Sequence, residues 1–230
     1  MILDAIVPLL SLIALEVILG IDNIIFISIL AGKLPLHEGN KLRYWGLGLA
    51  MIIRLILLGF ISWILKLDRE LFTLFDTGFS GKSLILLAGG IFLLYKSTKE
   101  ILHHTEDTDA PEVTRIRTGS FKRLLMEIIL LDLVFSVDSI ITAVGMVQEL
   151  WVMYAAVIVA VGIMLVASQP IARFIQNHPS FKILALCFLM MIGLSLIAEG
   201  MHFNIPKGYI YFSMGFAFMV DLIQMKKLKK

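Results

Sequence analysis

Seven stretches of the chain, 5–31, 43–65, 83–102, 124–147, 151–173, 183–201 and 206–225, are long and apolar enough to cross a bilayer. The hydrocarbon layer is ~30 Å thick, and an α-helix needs about 20 apolar residues to traverse it. Inside hydrocarbon every backbone N–H and C=O must find a partner within the chain, which leaves helices and closed barrels as the spanning structures. These runs are continuous, not alternating, and each is about twice the length of a barrel strand, so they predict helices. Composition agrees: 59% of residues are hydrophobic, only 17% are charged, and mean hydropathy is +0.91, whereas soluble domains are about 25% charged. The expected fold is an all-α polytopic membrane helix bundle of about seven transmembrane helices, a single membrane domain over 1–230.

Several function classes are excluded early. The single cysteine, Cys187, lies inside an apolar run and offers neither a disulfide nor a thiolate metal site. The basic residues form no face of the kind that grips nucleic acid. No Walker-type phosphate loop and no nucleophile–base constellation is present, so the chain reads as neither an ATP-driven pump nor an enzyme, and no cofactor is expected. The first stretch has no basic leader, exceeds a signal-peptide core in length and contains carboxylates, so it is expected to be retained.

The charges between the stretches set an orientation. With the N-terminus outside, fifteen of the 20 lysines and arginines fall on cytoplasmic segments and four, Lys66, Arg69, Lys82 and Lys207, fall outside. That is the positive-inside bias, and it puts the C-terminus in the cytoplasm. The most polar stretch, 103–120, becomes a cytoplasmic loop between three spans (5–102) and four (124–225). The remaining basic residue, Arg54, lies deep in the second stretch, where it either pairs with a structural carboxylate or balances the charge of a site.

Two segments repeat the same chemistry. In Leu15-Glu16-Val17-Ile18-Leu19-Gly20-Ile21-Asp22-Asn23 and Leu131-Asp132-Leu133-Val134-Phe135-Ser136-Val137-Asp138-Ser139, a carboxylate precedes an aspartate by six residues. A small residue stands two before that aspartate, and an amide or hydroxyl follows it. In the orientation above, the first span runs inward and the fourth outward. The copies are then antiparallel, as in an inverted-topology repeat of 5–102 and 124–201, with 206–225 as a seventh helix. Such repeats place equivalent groups around the bilayer midplane, where secondary transporters bind their substrates.

Four midplane carboxylates are costly, about 2.5–3.5 kcal/mol for each aspartate at a helix centre, and should face the bundle interior with partners. They suit a cation site, a proton relay, or both in exchange. Six residues along an α-helix separate two side chains by about 120° and about 9 Å. One straight helix therefore cannot turn both onto one ion. Either the helix opens near Gly20 and Ser136, or Asp22 and Asp138 bind the ion while Glu16 and Asp132 stand behind them or act in another state. Asn23 and Ser139 would add neutral oxygens. Hard oxygen donors suit Mg²⁺, Ca²⁺ or Mn²⁺, and the histidines, His37, His103, His104, His178 and His202, all lie near span ends or in loops. Glu199 reads either as a gate where ions enter or as an ordinary interfacial residue. Asp221 is expected to pair with the terminal lysines, and Glu127 to be solvated at the inner mouth. Gly46, Gly48, Gly89 and Gly90 are expected to permit close helix approach.

At the paired motifs the sequence resembles the TerC family of integral membrane proteins. The resemblance rests on Glu16 to Asn23 with the Ile24-Ile25-Phe26 continuation and on Asp132 to Ser139, with Arg54 and the Glu199 region also similar. It implies a relation to the LysE transporter superfamily, the short membrane-only form, a bacterial inner-membrane location, and manganese efflux with Glu16, Asp22, Asp132 and Asp138 on the ion path. The expected function is a secondary exporter of divalent cations, manganese first, with protons as the counter-ion. The alternative is a metal-binding membrane accessory or assembly factor without net transport. The bilayer, the metal ion and, compatibly, further copies of the chain are the expected partners.

Overall fold

The computed structural model describes residues 2–74, 77–106, 120–147, 149–203 and 205–228. Along the chain run α1 (Ile2–Ala31), α2 (Leu36–Gly59), the short α3 (Ile61–Ile64) with a 3₁₀ turn at Leu65–Asp68, β1 (Glu70–Leu74), β2 (Thr77–Ser80), α4 (Gly81–Glu106), α5 (Phe121–Met146), α6 (Leu150–Asn177), α7 (Pro179–Gly200) and α8 (Lys207–Leu228). The described residues form an all-α bundle apart from one hairpin. Most of the polar loop assigned to 103–120, Gln148 of the α5–α6 link, Asn204 and the last two lysines lie outside the described residues.

Among the described residues four helical stretches, Ile6–Ala31, Leu36–Gly59, Leu150–Asn177 and Ser180–Gly200, are long and apolar enough to cross a membrane by length and composition. Beside them stand α4 and α5, with 26 residues each, and α8, with 22.

The apolar runs mark helix interiors better than helix ends. The second run, read as 43–65, becomes a helix that starts seven residues earlier, directly after Pro35, and stops at Gly59. Charged and polar residues such as Glu38, Asn40 and Lys41 continue the hydrogen-bonded backbone past the hydrocarbon edge, so hydropathy alone misses them. At Phe60 the N–H is shared between the Ile56 and Leu57 carbonyls, at 3.1 and 3.0 Å, and the chain turns into α3. Pro179 opens α7, where its missing N–H costs nothing.

The hairpin is an addition that the apolar pattern does not announce. β1 and β2 pair antiparallel, with Phe72 opposite Phe79 and their rings stacked at 5.6 Å. It docks on the turn after α7, where His202 takes φ 64°. There His202 N–H bonds the Glu199 carbonyl at 2.9 Å and Phe203 N–H bonds the Ala198 carbonyl at 2.8 Å, a Schellman ending that usually carries glycine. The His202 ring Nε2 in turn reaches the Gly78 carbonyl of β2 at 2.5 Å.

Side-chain pairings give the helix directions. Gly39 lies against Ala31 and Gly46 against Ile27, so α1 and α2 are antiparallel. Gly46 also meets Ile128, and Arg54 meets Ser136, so α2 and α5 run parallel. α1 and α5 are therefore opposed. Leu12 and Glu16 share a small cavity with Met153, Ala156 and Val157, and Gly20 faces Met164, so α1 runs parallel to α6. α4 and α7 cross antiparallel where Gly90 meets Gly193. α8 leans on this bundle through Phe218, whose ring lies 5.0 Å from Phe181 and 6.3 Å from Phe174.

Two charged belts close the ends. Beyond the hairpin, at the opposite end, Glu100 takes Lys33 and, at 3.6 Å, Lys182, while Glu127 takes Lys96 at 2.5 Å and Arg123 at 3.3 Å. Glu127 is buried, a correction to its reading as a solvated residue: two cations from α4 and its own helix replace water around it. Lys82, Glu199 and Lys207 gather at the hairpin end.

Candidate ion site

The repeated carboxylates lie in the interior, as their cost requires: Glu16, Asp22, Asp132 and Asp138 are 3–5% exposed. Both α1 and α5 run through the motifs as unbroken helix. Opening of the backbone near Gly20 or Ser136 is not what these residues adopt. The six-residue spacing instead divides each motif, one carboxylate to each of two charge centres.

The first centre is built on Arg54. Its Nη1 donates to Glu16 Oε2, its Nη2 lies 3.4 Å from Asp132 Oδ1, and its Nε donates to Ser136 Oγ at 3.2 Å. Ser136 passes the bond on to Asp132 Oδ2 at 3.1 Å, and Asn23 Nδ2 donates to Asp132 Oδ1 at 3.4 Å. The planar guanidinium fork suits this task, because it can hold two carboxylates and a hydroxyl in fixed directions at once. The first carboxylate of each motif is thus brought to one cation from α2. A cavity bounded by Asn23, Ile27, Arg54, Asp132 and Met164 opens beside it.

The second centre lies nearer the hairpin end. Lys207, the first residue of α8, donates to Asp138 Oδ2, and the other oxygen of that carboxylate, Oδ1, is buried without a hydrogen-bond partner among the described residues. Lys207 is also 3.6 Å from Glu199 Oε2, and Lys82 is 3.1 Å from Glu199 Oε1. Asp22 makes no hydrogen bond or ion pair among the described residues. Tyr211, one turn into α8, is within electrostatic reach of both Asp22 and Asp138.

Arg54 therefore joins Glu16 and Asp132, Asn23 joins them, and Glu199 reaches Asp138 through Lys207. Ser139 does not join: its hydroxyl turns back to the Ser136 carbonyl at 3.3 Å. Among the described residues no three carboxylate, histidine or cysteine side chains converge closely enough to hold a metal ion together. Asp221 keeps a buried oxygen without a partner among the described residues, and the side chains at 225–230 lie outside them. The apolar pattern missed Ser136 as a bridge and Lys207 as a partner. A lysine directly after Pro206, at the mouth of an apolar helix, was the available signal.

The integral membrane protein TerC family matches residues 2–228. The chain belongs to that family. Among relatives of this TerC chain, the UPF0053 inner membrane protein YoaE of Escherichia coli is 50% identical over 214 residues, 93% of this chain and 41% of YoaE. The chain thus spans about two fifths of that relative. A UPF0053 protein of Haemophilus influenzae is 48% identical, with 99% of this chain and 97% of that protein aligned. The UPF0053 inner membrane protein YgdQ of Escherichia coli is 45% identical over 96% of this chain and 92% of YgdQ. These relatives support an inner-membrane location. No solved structure matches the chain.

Proposed function

We propose that the chain is a secondary transporter that exports divalent metal cations, manganese first, in exchange for protons. The observation that carries the reading is a charge imbalance in the bundle interior. Glu16, Asp22, Asp132 and Asp138 are all buried, and they face two cations, Arg54 and Lys207. Beyond them, Glu199 is matched by Lys82. With every carboxylate ionised the interior is short of two positive charges, which one divalent cation or two protons supply. Exchange of one for the other keeps a low-dielectric interior neutral throughout a cycle.

Helix neighbours support an inverted repeat of α1–α2–α4 and α5–α6–α7. Exchanging the halves turns the α1–α6 pair into α5–α2 and leaves α4–α7 facing itself, and each of these pairs is in contact. Seven spans, with the N-terminus outside and the C-terminus cytoplasmic, follow from this and from the positive-inside count. Asp22 and Asp138, one on each half, are the proposed ion ligands. Glu16 and Asp132 hold Arg54, which balances charge when the ion leaves.

The test is Mn²⁺ movement in proteoliposomes, with Mg²⁺, Ca²⁺ and Zn²⁺ alongside. Wild type should carry Mn²⁺ saturably and respond to a proton gradient, and folded Asp22→Asn plus Asp138→Asn should lose that movement. If wild type carries none of the four ions under proton gradients of either sign, the transport reading fails and an accessory role without net transport takes its place.

A further inference from the structure

Lys207 stands where a helix does not favour a cation. It is the first residue of α8, and no acidic residue shares that first turn. The helix dipole makes an N-terminus electropositive and repels a lysine there. Lys82, second in α4, is equally misplaced, and Glu199 sits in the last turn of α7, where a carboxylate is disfavoured. The three are held by each other: Lys82 by Glu199 at 3.1 Å, and Glu199 by Lys207 at 3.6 Å. The tightest of these contacts, however, leads inward from Lys207 to Asp138. The lysine side chain is one-third exposed while the Asp138 side chain is 5% exposed. One flexible ammonium thus touches two carboxylates, one deep in the bundle and one at its mouth.

We propose that Lys207 is a tethered competitor for the transported cation: its ammonium holds Asp138 between transport events and shifts fully to Glu199 when a divalent cation takes the aspartate. This inference rests on the transport reading above. The incoming ion takes over the neutralisation of Asp138 as the ammonium withdraws towards solvent, and its second charge answers Asp22, which has no ion pair among the described residues. Glu199 is the parking place, already oriented by Lys82. The arrangement also seals the hairpin end. While Lys207 bridges Asp138 and Glu199, it ties α8 to α5 and α7, and its release frees the start of α8 from both.

A tethered competitor lowers apparent affinity by the fraction of time it occupies the site. Equilibrium Mn²⁺ binding to the purified full chain in detergent, paired with the half-saturating Mn²⁺ concentration for flux, reads this directly. Lys207→Met should lower both values about tenfold if the lysine holds the aspartate about nine-tenths of the time, and Lys207→Arg should restore wild-type values. Glu199→Gln should shift them the other way, because the displaced lysine loses its destination. A purely structural Lys207 would give weaker binding and a lower maximal rate in Lys207→Met, and Glu199→Gln would move in the same direction. Unchanged or weaker Mn²⁺ binding in folded Lys207→Met overturns the inference while leaving the transport reading in place. Should Lys207→Met not fold, Lys207→Gln, which keeps a polar contact to Asp138 and removes the charge, takes its place: tighter Mn²⁺ binding supports the inference, and unchanged or weaker binding overturns it. Wild type that neither binds nor moves Mn²⁺ overturns both.

Discussion

Arg54→Leu is expected to destabilise the protein by about 3–5 kcal/mol, the range seen when one partner is removed from a buried ion pair. The cost comes less from the lost bonds than from what remains. Glu16 and Asp132 would face one another without a cation, both buried in the bundle interior. Ser136 and Asn23 can still donate to Asp132, whereas Glu16 has no second donor among the described residues. Glu16→Gln added to Arg54→Leu should therefore recover more than half of the loss, because it removes the charge left unpaired. Arg54→Lys should fall between, since an ammonium carries the charge but not the fork that meets Glu16, Asp132 and Ser136 together. Thermal unfolding in detergent, followed by tryptophan fluorescence, measures all three. An Arg54→Leu protein that melts with wild type would show that Arg54 does not hold the α1–α2–α5 junction together.

How much of this the sequence carried can be argued from particular residues. Hydrocarbon thickness sets the length of an apolar run, so the long helices were legible, each displaced by a few residues at its ends. Leu36–Leu42 and Gly81–Lys82 were lost to the runs because a helix continues wherever its backbone bonds do, and polar residues tolerate that outside the hydrocarbon. The hairpin was not legible. Phe72 and Phe79 stack across it, but one aromatic pair in ten residues gives no alternation to read.

The motif arithmetic was informative in a different way. A separation of about 120° along a helix left two outcomes open, an opened helix or a division of labour. The unbroken α1 and α5 exclude the first, and Arg54 and Lys207 stand at different carboxylates of the motifs. Which cation would serve which carboxylate was beyond the sequence. Arg54 is 38 residues from Glu16 and 78 from Asp132, and Lys207 is 69 from Asp138, so only the packing of α2 and α8 brings them together. Ser139 and Ser136 differ in kind for the same reason. Both hydroxyls are buried, but only Ser136 points towards α2, so only Ser136 meets Arg54.

Gly90→Val should be the most damaging single substitution in the apolar part of the bundle. A Cβ at Gly90 would lie 2.5 Å from the Gly193 carbonyl oxygen and 3.0 Å from the Ile197 amide nitrogen, and both are backbone atoms that cannot swing aside. In membranes helices associate mainly through such close packing, with no hydrophobic force to compensate for a gap. α4 and α7 would have to separate along the whole crossing, and overpacking of this kind costs about 1–3 kcal/mol or more. The same separation would draw Glu199 away from Lys82 at the hairpin end, so the charged belt around Lys207 should loosen with it. Gly48→Ala and Gly145→Ala are the matched controls, because a Cβ at either position meets nothing within 4 Å. They should leave the melting temperature unchanged or raise it slightly, by the ~1 kcal/mol advantage of alanine over glycine in a helix. Gly20→Ala tests the middle case. Its nearest obstacle is the flexible thioether of Met164, which can rotate, so a small loss is expected. If Gly90→Val melts no lower than Gly20→Ala, the α4–α7 crossing is not closed through its glycines, and the bundle is held instead by its charged ends.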